Sequence, residues 1–142
     1  MKFTMTKDER EQFLAEPHVG IVCVSEAGRG PLAVPVWYIY QPGRDLWFLT
    51  SRNSKKAKLM QETDRISLCV QTYTPPYQYL TVEGPFSILD TVENEHHLEM
   101  ACRYLGEDEG KVYVETEKNL ADIRVSMHPE HWLSADYSKE SA

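Results

Sequence analysis

The 142-residue sequence predicts a mainly β domain with flanking helices, built as an antiparallel barrel or sandwich. Three observations carry this. Short runs rich in β-branched and aromatic residues follow one another closely, separated by turns such as "EAGRGP", "QPGRD" and "TPPY". One run, "PLAVPVWYIY", is apolar on both of its faces, so both need cover. A later run is interrupted at Gly84-Pro85, where a bulge or bend would curve a sheet.

The elements follow in order. Thr6 with Glu9 fits a capping box, so a helix starts there, offers Phe13 and Leu14 as a short apolar face, and stops at Pro17. "HVGIVCVS" is the first strand and "PLAVPVWYIY" the second. In the second, Leu32, Val34, Val36, Tyr38 and Tyr40 share one face, and Ala33, Pro35, Trp37 and Ile39 the other. Pro35 lacks a ladder N–H and marks an edge or a bulge. "DLWFLTS" is the third strand, and "SKKAKLMQETD" is helical by propensity. In "RISLCVQTY", Ile66, Leu68 and Val70 alternate with Ser67, Cys69 and Gln71, the pattern of a half-buried strand. "YQYLTVEGPFSIL" is the fifth strand. A second major helix begins near Asp90 or Thr91, with Leu98, Ala101, Cys102 and Leu105 at helical spacing and Gly106 as its C-cap. "EDEGKVYVETEKN" is ambiguous, "ADIRVSM" is the last strand, and a loose tail covers about residues 134–142.

Length and composition fit one domain, residues 1–142, with 42% hydrophobic and 26% charged residues. The net charge of -7 argues against non-specific contact with nucleic acid or an anionic membrane surface. No apolar run approaches the roughly 20 residues that span a bilayer, and "MKFTMTKDEREQF" has no signal-peptide core. Cys23, Cys69 and Cys102 have no metal or CxxC spacing and read as small buried hydrophobes in a reducing compartment, so the expected location is the cytoplasm.

The chemistry concentrates in "LTSRNSKKAKL", where Arg52, Lys55, Lys56 and Lys58 follow a strand end in a chain that is otherwise acidic. Hydroxyls at Thr50, Ser51 and Ser54, free helix N–H groups and lysines make a phosphate site. A solvated basic helix face is the alternative, and the glycines of a Walker loop are absent. His96, His97, His128 and His131 lack metal-ligand spacing and read as surface histidines. No nucleophile triad is recognisable, and no metal site is expected. Tyr38, Tyr73, Tyr77 and Tyr79 are the proton-donor candidates, with packing as their commoner role.

The order of "PLAVPVWYIY", "DLWFLTSRNSKKAKL", "RISLCVQ", "YLTVEGPF" and "IRVSMHPEHW" resembles the pyridoxamine-5′-phosphate-oxidase-like split barrels that bind flavin mononucleotide (FMN) or a deazaflavin, and is most similar to their small flavin/deazaflavin oxidoreductases. The resemblance implies a six-stranded antiparallel split β-barrel, the FMN-binding split barrel, and a homodimer with cofactor clefts at its interface. It implies a phosphate site at Thr50, Ser51, Ser54, Lys55 and Lys56, with Lys56 the best match for the phosphate-binding lysine. It lays the ring against Pro35, Val36 and Trp37, with Gln71 facing it. The implied activity is hydride transfer between bound cofactor and a small organic substrate; a non-catalytic cofactor- or haem-binding module is the alternative. The surplus of Arg52, Lys55 and Lys58 around Lys56 favours the deazaflavin coenzyme F-420, with its acidic tail, over FMN. The chain ends in "LSADYSKESA" without the Arg/His-rich tail of true pyridoxamine-phosphate oxidases, so synthesis of pyridoxal phosphate is not expected.

Overall fold

The computed structural model of the protein describes residues 2–141. Helix α1 (Lys7–Ala15) begins at the expected capping box: Glu9 N–H donates to Thr6 Oγ1 at 3.2 Å, and Thr6 N–H to the Glu9 carboxylate at 2.8 Å. It ends where Glu16 turns extended ahead of Pro17. There follow β1 (Gly20–Val24), β2 (Leu32–Val36), β3 (Leu46–Thr50), α2 (Lys55–Met60), β4 (Arg65–Gln71), β5 (Gln78–Leu89), α3 (Asn94–Leu105), α4 (Glu107–Thr116), β6 (Ile123–Met127) and β7 (His131–Asp136). A 3₁₀ turn covers Tyr137–Ser141.

Every strand pairing is antiparallel, in the order β2-β1-β4-β5-β6-β3, with β7 added beside β5 off this path. The path curls back on itself. Ile39, just past β2, exchanges both backbone hydrogen bonds with Trp47 of β3, each 2.9 Å. A single bridge therefore joins the two ends of the sheet, and the barrel is split there. β2 is an edge strand along its own length, which is one of the two positions that Pro35 tolerates.

β5 is twelve residues long because it belongs to both halves of the sheet. Residues Gln78–Glu83 pair with β7 and Phe86–Leu89 with β6. The change of partner falls at Gly84-Pro85, the expected bend. There His128 N–H donates to the Pro85 carbonyl at 2.8 Å and Glu130 N–H to the Glu83 carbonyl at 2.9 Å. A Cβ at residue 84 would collide with the His128 carbonyl, so the crossing chain requires glycine.

The barrel interior is filled by alternate residues: Val22, Val24, Tyr38, Phe48, Leu68, Val70, Leu80, Val82, Val125 and Met127 are all fully buried. Each such side chain contributes roughly 1.5–3 kcal/mol of burial. A smaller cluster lies outside the barrel under α3, where Ile39, Trp47 and Met100 pack with Trp37, Leu49 and Tyr104. The faces of the second run therefore have different fates. Val36, Tyr38 and Tyr40 enter the core; Ile39 and Trp37 meet α3; Ala33 and Pro35 stay exposed.

Some expectations change. The tail expected to be loose from about residue 134 is strand through Asp136, with Ser134, Ala135 and Asp136 buried. Met5 N–H donates to Ser134 Oγ at 3.1 Å and Asp136 N–H to the Phe3 carbonyl at 2.7 Å, so the N-terminal residues hold it. Ala142 lies outside the described residues. The ambiguous "EDEGKVYVETEKN" forms α4, which packs against α3 where Gly110 sits on the Cys102 backbone, too close for a Cβ. The cysteines are half-buried rather than buried. Cys23 and Cys69 lie on the outer side of β1 and β4, because the interior positions there belong to Val22, Val24, Leu68 and Val70.

Candidate functional site

A cavity of about 400 Å³ opens between β2, α2 and the α3–α4 pair. Its walls are apolar: Val36 and Trp37 at the end of β2, Leu49 of β3, Met100 and Ala101 of α3, and Leu120 and Ala121 beyond α4. The polar groups entering it are Lys56, His97 and Tyr113.

The Trp37 wall is braced from α3. Its indole stacks on the Tyr104 ring at 5.0 Å and 6°. The Tyr104 hydroxyl accepts from Tyr38 N–H at 3.1 Å and donates to the His18 carbonyl at 2.7 Å. Those bonds lock the residue that follows Trp37 and hold α3 against the strand. Pro35 cannot donate to β1, so the pair Ile21–Pro35 is a non-hydrogen-bonded one and the Pro35 carbonyl points out from the edge. The cavity thus offers a free backbone acceptor beside a flat aromatic wall.

Lys56 lies in the first turn of α2 and is half-buried. Among the described residues it has neither an ion pair nor a hydrogen bond, and burial pushes its ammonium pKa below the ordinary value. A cation held out of water without a partner favours an anion nearby. His97 is half-buried too; burial first, and the neighbouring His96 second, push its imidazole pKa down, so the ring is a neutral donor and acceptor near pH 7.

The structure divides the predicted site residues. Pro35, Val36, Trp37 and Lys56 line the cavity together. Thr50, Ser51, Ser54, Lys55 and Gln71 are not in its wall. Thr50 is buried beneath the loop, its hydroxyl 3.2 Å from Ser54 Oγ. Ser54 caps α2, accepting from Ala57 N–H at 3.2 Å while donating to the Ser51 carbonyl at 2.7 Å. The Ser51 hydroxyl accepts from Asn53 N–H at 3.2 Å. Lys55 turns to Glu26 at 3.3 Å. Gln71 is exposed at the end of β4.

The basic surplus also shrinks. Arg52 bonds Asp122 through its backbone N–H and its Nε, both at 2.8 Å, and the Asp90 carbonyl through Nη2 at 2.8 Å. Arg52 and Lys55 are therefore committed to partners within the chain, and the argument from surplus charge to an acidic cofactor tail keeps only Lys58.

Of the tyrosine candidates, Tyr38 is fully buried, donates to the Leu14 carbonyl at 2.7 Å, and has its pKa driven far up by burial. Tyr73 and Tyr77 are exposed on the β4–β5 connection, and Tyr79 meets Tyr137. None of the four reaches the cavity. His97 and Tyr113 do, and sequence reasoning missed both. The available signal was the spacing of His97, Met100 and Ala101 on one face of a helix. His128 and His131 are exposed, as expected, beside Asp45 and Glu83. Among the described residues no group of three His, Cys, Asp or Glu side chains could hold a metal ion. No helix there is long and apolar enough to cross a membrane.

The arrangement suits a planar ring with an anionic arm: aromatic wall, backbone acceptor at the edge, apolar floor and a cation, Lys56, that is unpaired among the described residues. Comparison with known proteins agrees in fold. The family model for pyridoxamine 5′-phosphate oxidase matches residues 6–132. No curated protein matches the sequence. A conserved hypothetical protein from Mycobacterium tuberculosis superposes with TM-score 0.77 at 21% identity, over 99% of this chain and 91% of that one. A structure described as an F420 reductase does so with TM-score 0.68 at 20% identity, over 87% and 94%. The haem storage protein HutZ from Vibrio cholerae does so with TM-score 0.65 at 12% identity, over 93% and 96%.

Proposed function

Because this chain belongs to the pyridoxamine 5′-phosphate oxidase family, we propose that it is an oxidoreductase that binds a flavin or deazaflavin in the cavity beside β2 and reduces or oxidises a small organic substrate. The observation that carries this is Lys56, a half-buried ammonium without a partner among the described residues, in the wall of a cavity that Trp37 also lines. A bound cofactor of this class would supply the hydride chemistry. The chain's own part is positional. Lys56 holds the phosphate, and Trp37, fixed by Tyr104, aligns the ring. The Pro35 carbonyl would offer such a group a backbone acceptor. Met100, Leu49 and Leu120 keep water from the wall, and His97, neutral in this setting, holds an exchangeable proton at the cavity surface. The expected preference for the deazaflavin over FMN loses two of its supports, Arg52 and Lys55. We retain it as the choice for test because Lys58 remains unpaired among the described residues and an F420 reductase shares the fold.

The protein acts as a homodimer in this reading. Val19, Tyr77, Leu133 and Tyr137 are 38–61% exposed, and Pro35 is open at the sheet edge, which leaves apolar side chains that a second copy would cover. Light scattering at micromolar concentration should report a dimer; a monomer rejects it.

The functional test is direct. The purified protein, loaded separately with FMN and with the deazaflavin, is followed by its visible spectrum while the reduced cofactor meets electron acceptors. Tighter deazaflavin binding and acceptor-dependent reoxidation support the reading. Tighter FMN binding reverses the cofactor, and failure to bind either rejects the site. The loaded protein should make no pyridoxal phosphate.

A haem-binding module is the second reading, favoured by one observation: a neutral imidazole, His97, in an apolar cavity is a haem-ligand type. Haem titration giving a Soret band that His97→Ala removes would establish it.

A further inference from the structure

On the other side of α3 lies a second cavity, about 590 Å³, polar where the first is apolar. It shares no lining residue with the first. Its centre is Arg124 of β6, which stands on the outer face of the sheet between Leu49 and Leu89 in register. The guanidinium lies over the buried Trp47 ring at 4.2 Å. That stacking fixes the fork, yet Arg124 Nε is buried and has no partner among the described residues.

The neighbouring histidine sharpens the point. His96 Nδ1 faces Glu93 N–H at 3.3 Å, and His96 Nε2 faces Arg124 Nη1 at 3.0 Å. Both opposing groups are donors. A neutral imidazole accepts at only one nitrogen, so in either tautomer one N–H points at another N–H. If Nδ1 accepts from Glu93 and completes the helix start, Nε2 carries the proton and meets the guanidinium. An acceptor lodged in the cavity against both groups relieves the conflict, taking one bond from His96 Nε2–H and one from Arg124 Nη1, while Nε points from the opposite edge of the guanidinium.

The charge of the wall selects among acceptors. Arg44 and Arg124 are matched formally by Asp45 and Glu99, with Asp45 also held to His128 at 2.8 Å. One negative charge is tolerable in such a site, whereas a phosphate dianion meets two carboxylates with no surplus cation. We propose that this cavity binds a small monocarboxylate, gripped by Arg124 and the Nε2–H of His96.

The test uses acetate and benzoate as probes, with inorganic phosphate as the dianion, at constant ionic strength. Side-chain ¹H–¹⁵N spectra follow Arg124 Hε and the His96 ring. The expected result is a saturable shift of both signals by a carboxylate, with His96 fixed as the Nε2–H tautomer. Arg124→Gln should weaken the carboxylate by about tenfold or more, and His96→Phe should weaken it too. Arg44→Gln, at an exposed position, serves if either variant fails to fold, and should weaken binding by a smaller factor. No saturable shift with either carboxylate, an unchanged affinity in the folded variants, or tighter binding of phosphate overturns the proposal.

Discussion

Two cavities flank one helix, and they differ in almost every physical respect. The first is walled by Trp37, Leu49 and Met100 and holds a lone half-buried cation; the second rests on Trp47 and sets two arginines against two carboxylates. His97 enters one and His96 the other. Adjacent residues on a helix diverge by about 100°, so one step of sequence moves an imidazole from a dry wall to a charged one. The difference is made by the strand ends beneath α3. Trp37 and Ile39 alternate past β2, Leu49 and Trp47 along β3, and Met100 packs between them. A histidine's role here is read from what lies under the helix, not from its neighbours in sequence.

The strongest way to break this contrast is to remove the partition. Met100→Ala deletes a buried side chain that lines the first cavity and packs with Ile39 and Trp47 of the second, and should cost about 2–5 kcal/mol, seen as a lower denaturant midpoint at unchanged slope. It should also loosen ligand binding on both sides. An unchanged midpoint would mean that the partition is not packed.

Lys56→Ala tests the first cavity alone. Loss of one charge-assisted phosphate bond should weaken cofactor binding by about 1.5–3 kcal/mol, with the unfolding midpoint kept. Arg52→Ala, four residues earlier, should leave cofactor affinity unchanged, because Arg52 faces Asp122. Equal losses in both variants would return the whole basic stretch to a diffuse electrostatic role.

Tyr104→Phe sharpens the contrast by unfixing Trp37 without touching Trp47. The buried Tyr38 N–H loses its acceptor, a cost of about 1–3 kcal/mol. Cofactor affinity should fall, while acetate titrations at Arg124 should not change.

The smallest effect is on acid stability. Burial depresses the imidazole pKa of His97, and also that of His18. In the unfolded chain both titrate near about 6.5. Below that pH the unfolded state binds more protons than the fold does. The stability present at neutral pH is therefore lost as pH falls from about 6.5 through the folded values. His97→Gln and His18→Gln should each flatten this part of the stability–pH curve; if neither does, other groups set it.

Local chemistry made much of the fold legible. The Thr6–Glu9 capping box, the alternation in "RISLCVQ" and the bend at Gly84-Pro85 are short-range constraints, and each stands where the residues require it. The resemblance named Lys56 together with Pro35, Val36 and Trp37, and these four residues line one cavity. The seventh strand was not, because "HWLSAD" becomes a strand only by pairing with β5 and taking hydrogen bonds from residues near the N-terminus.

The sequence by itself determined where the first six strands and the first three helices form, which alternate residues fill the barrel, and that positive charge gathers after β3. Only the tertiary structure decided which of those charges remain available. Arg52 meets Asp122 across 70 positions, and Lys55 meets Glu26, pairings that depend on how β1, β3 and β6 are brought together. Electrostatic partnership is a property of distance in space and of burial. A lysine left half-buried and unpaired, or an arginine fixed on a tryptophan with a donor to spare, exists only once the chain has folded.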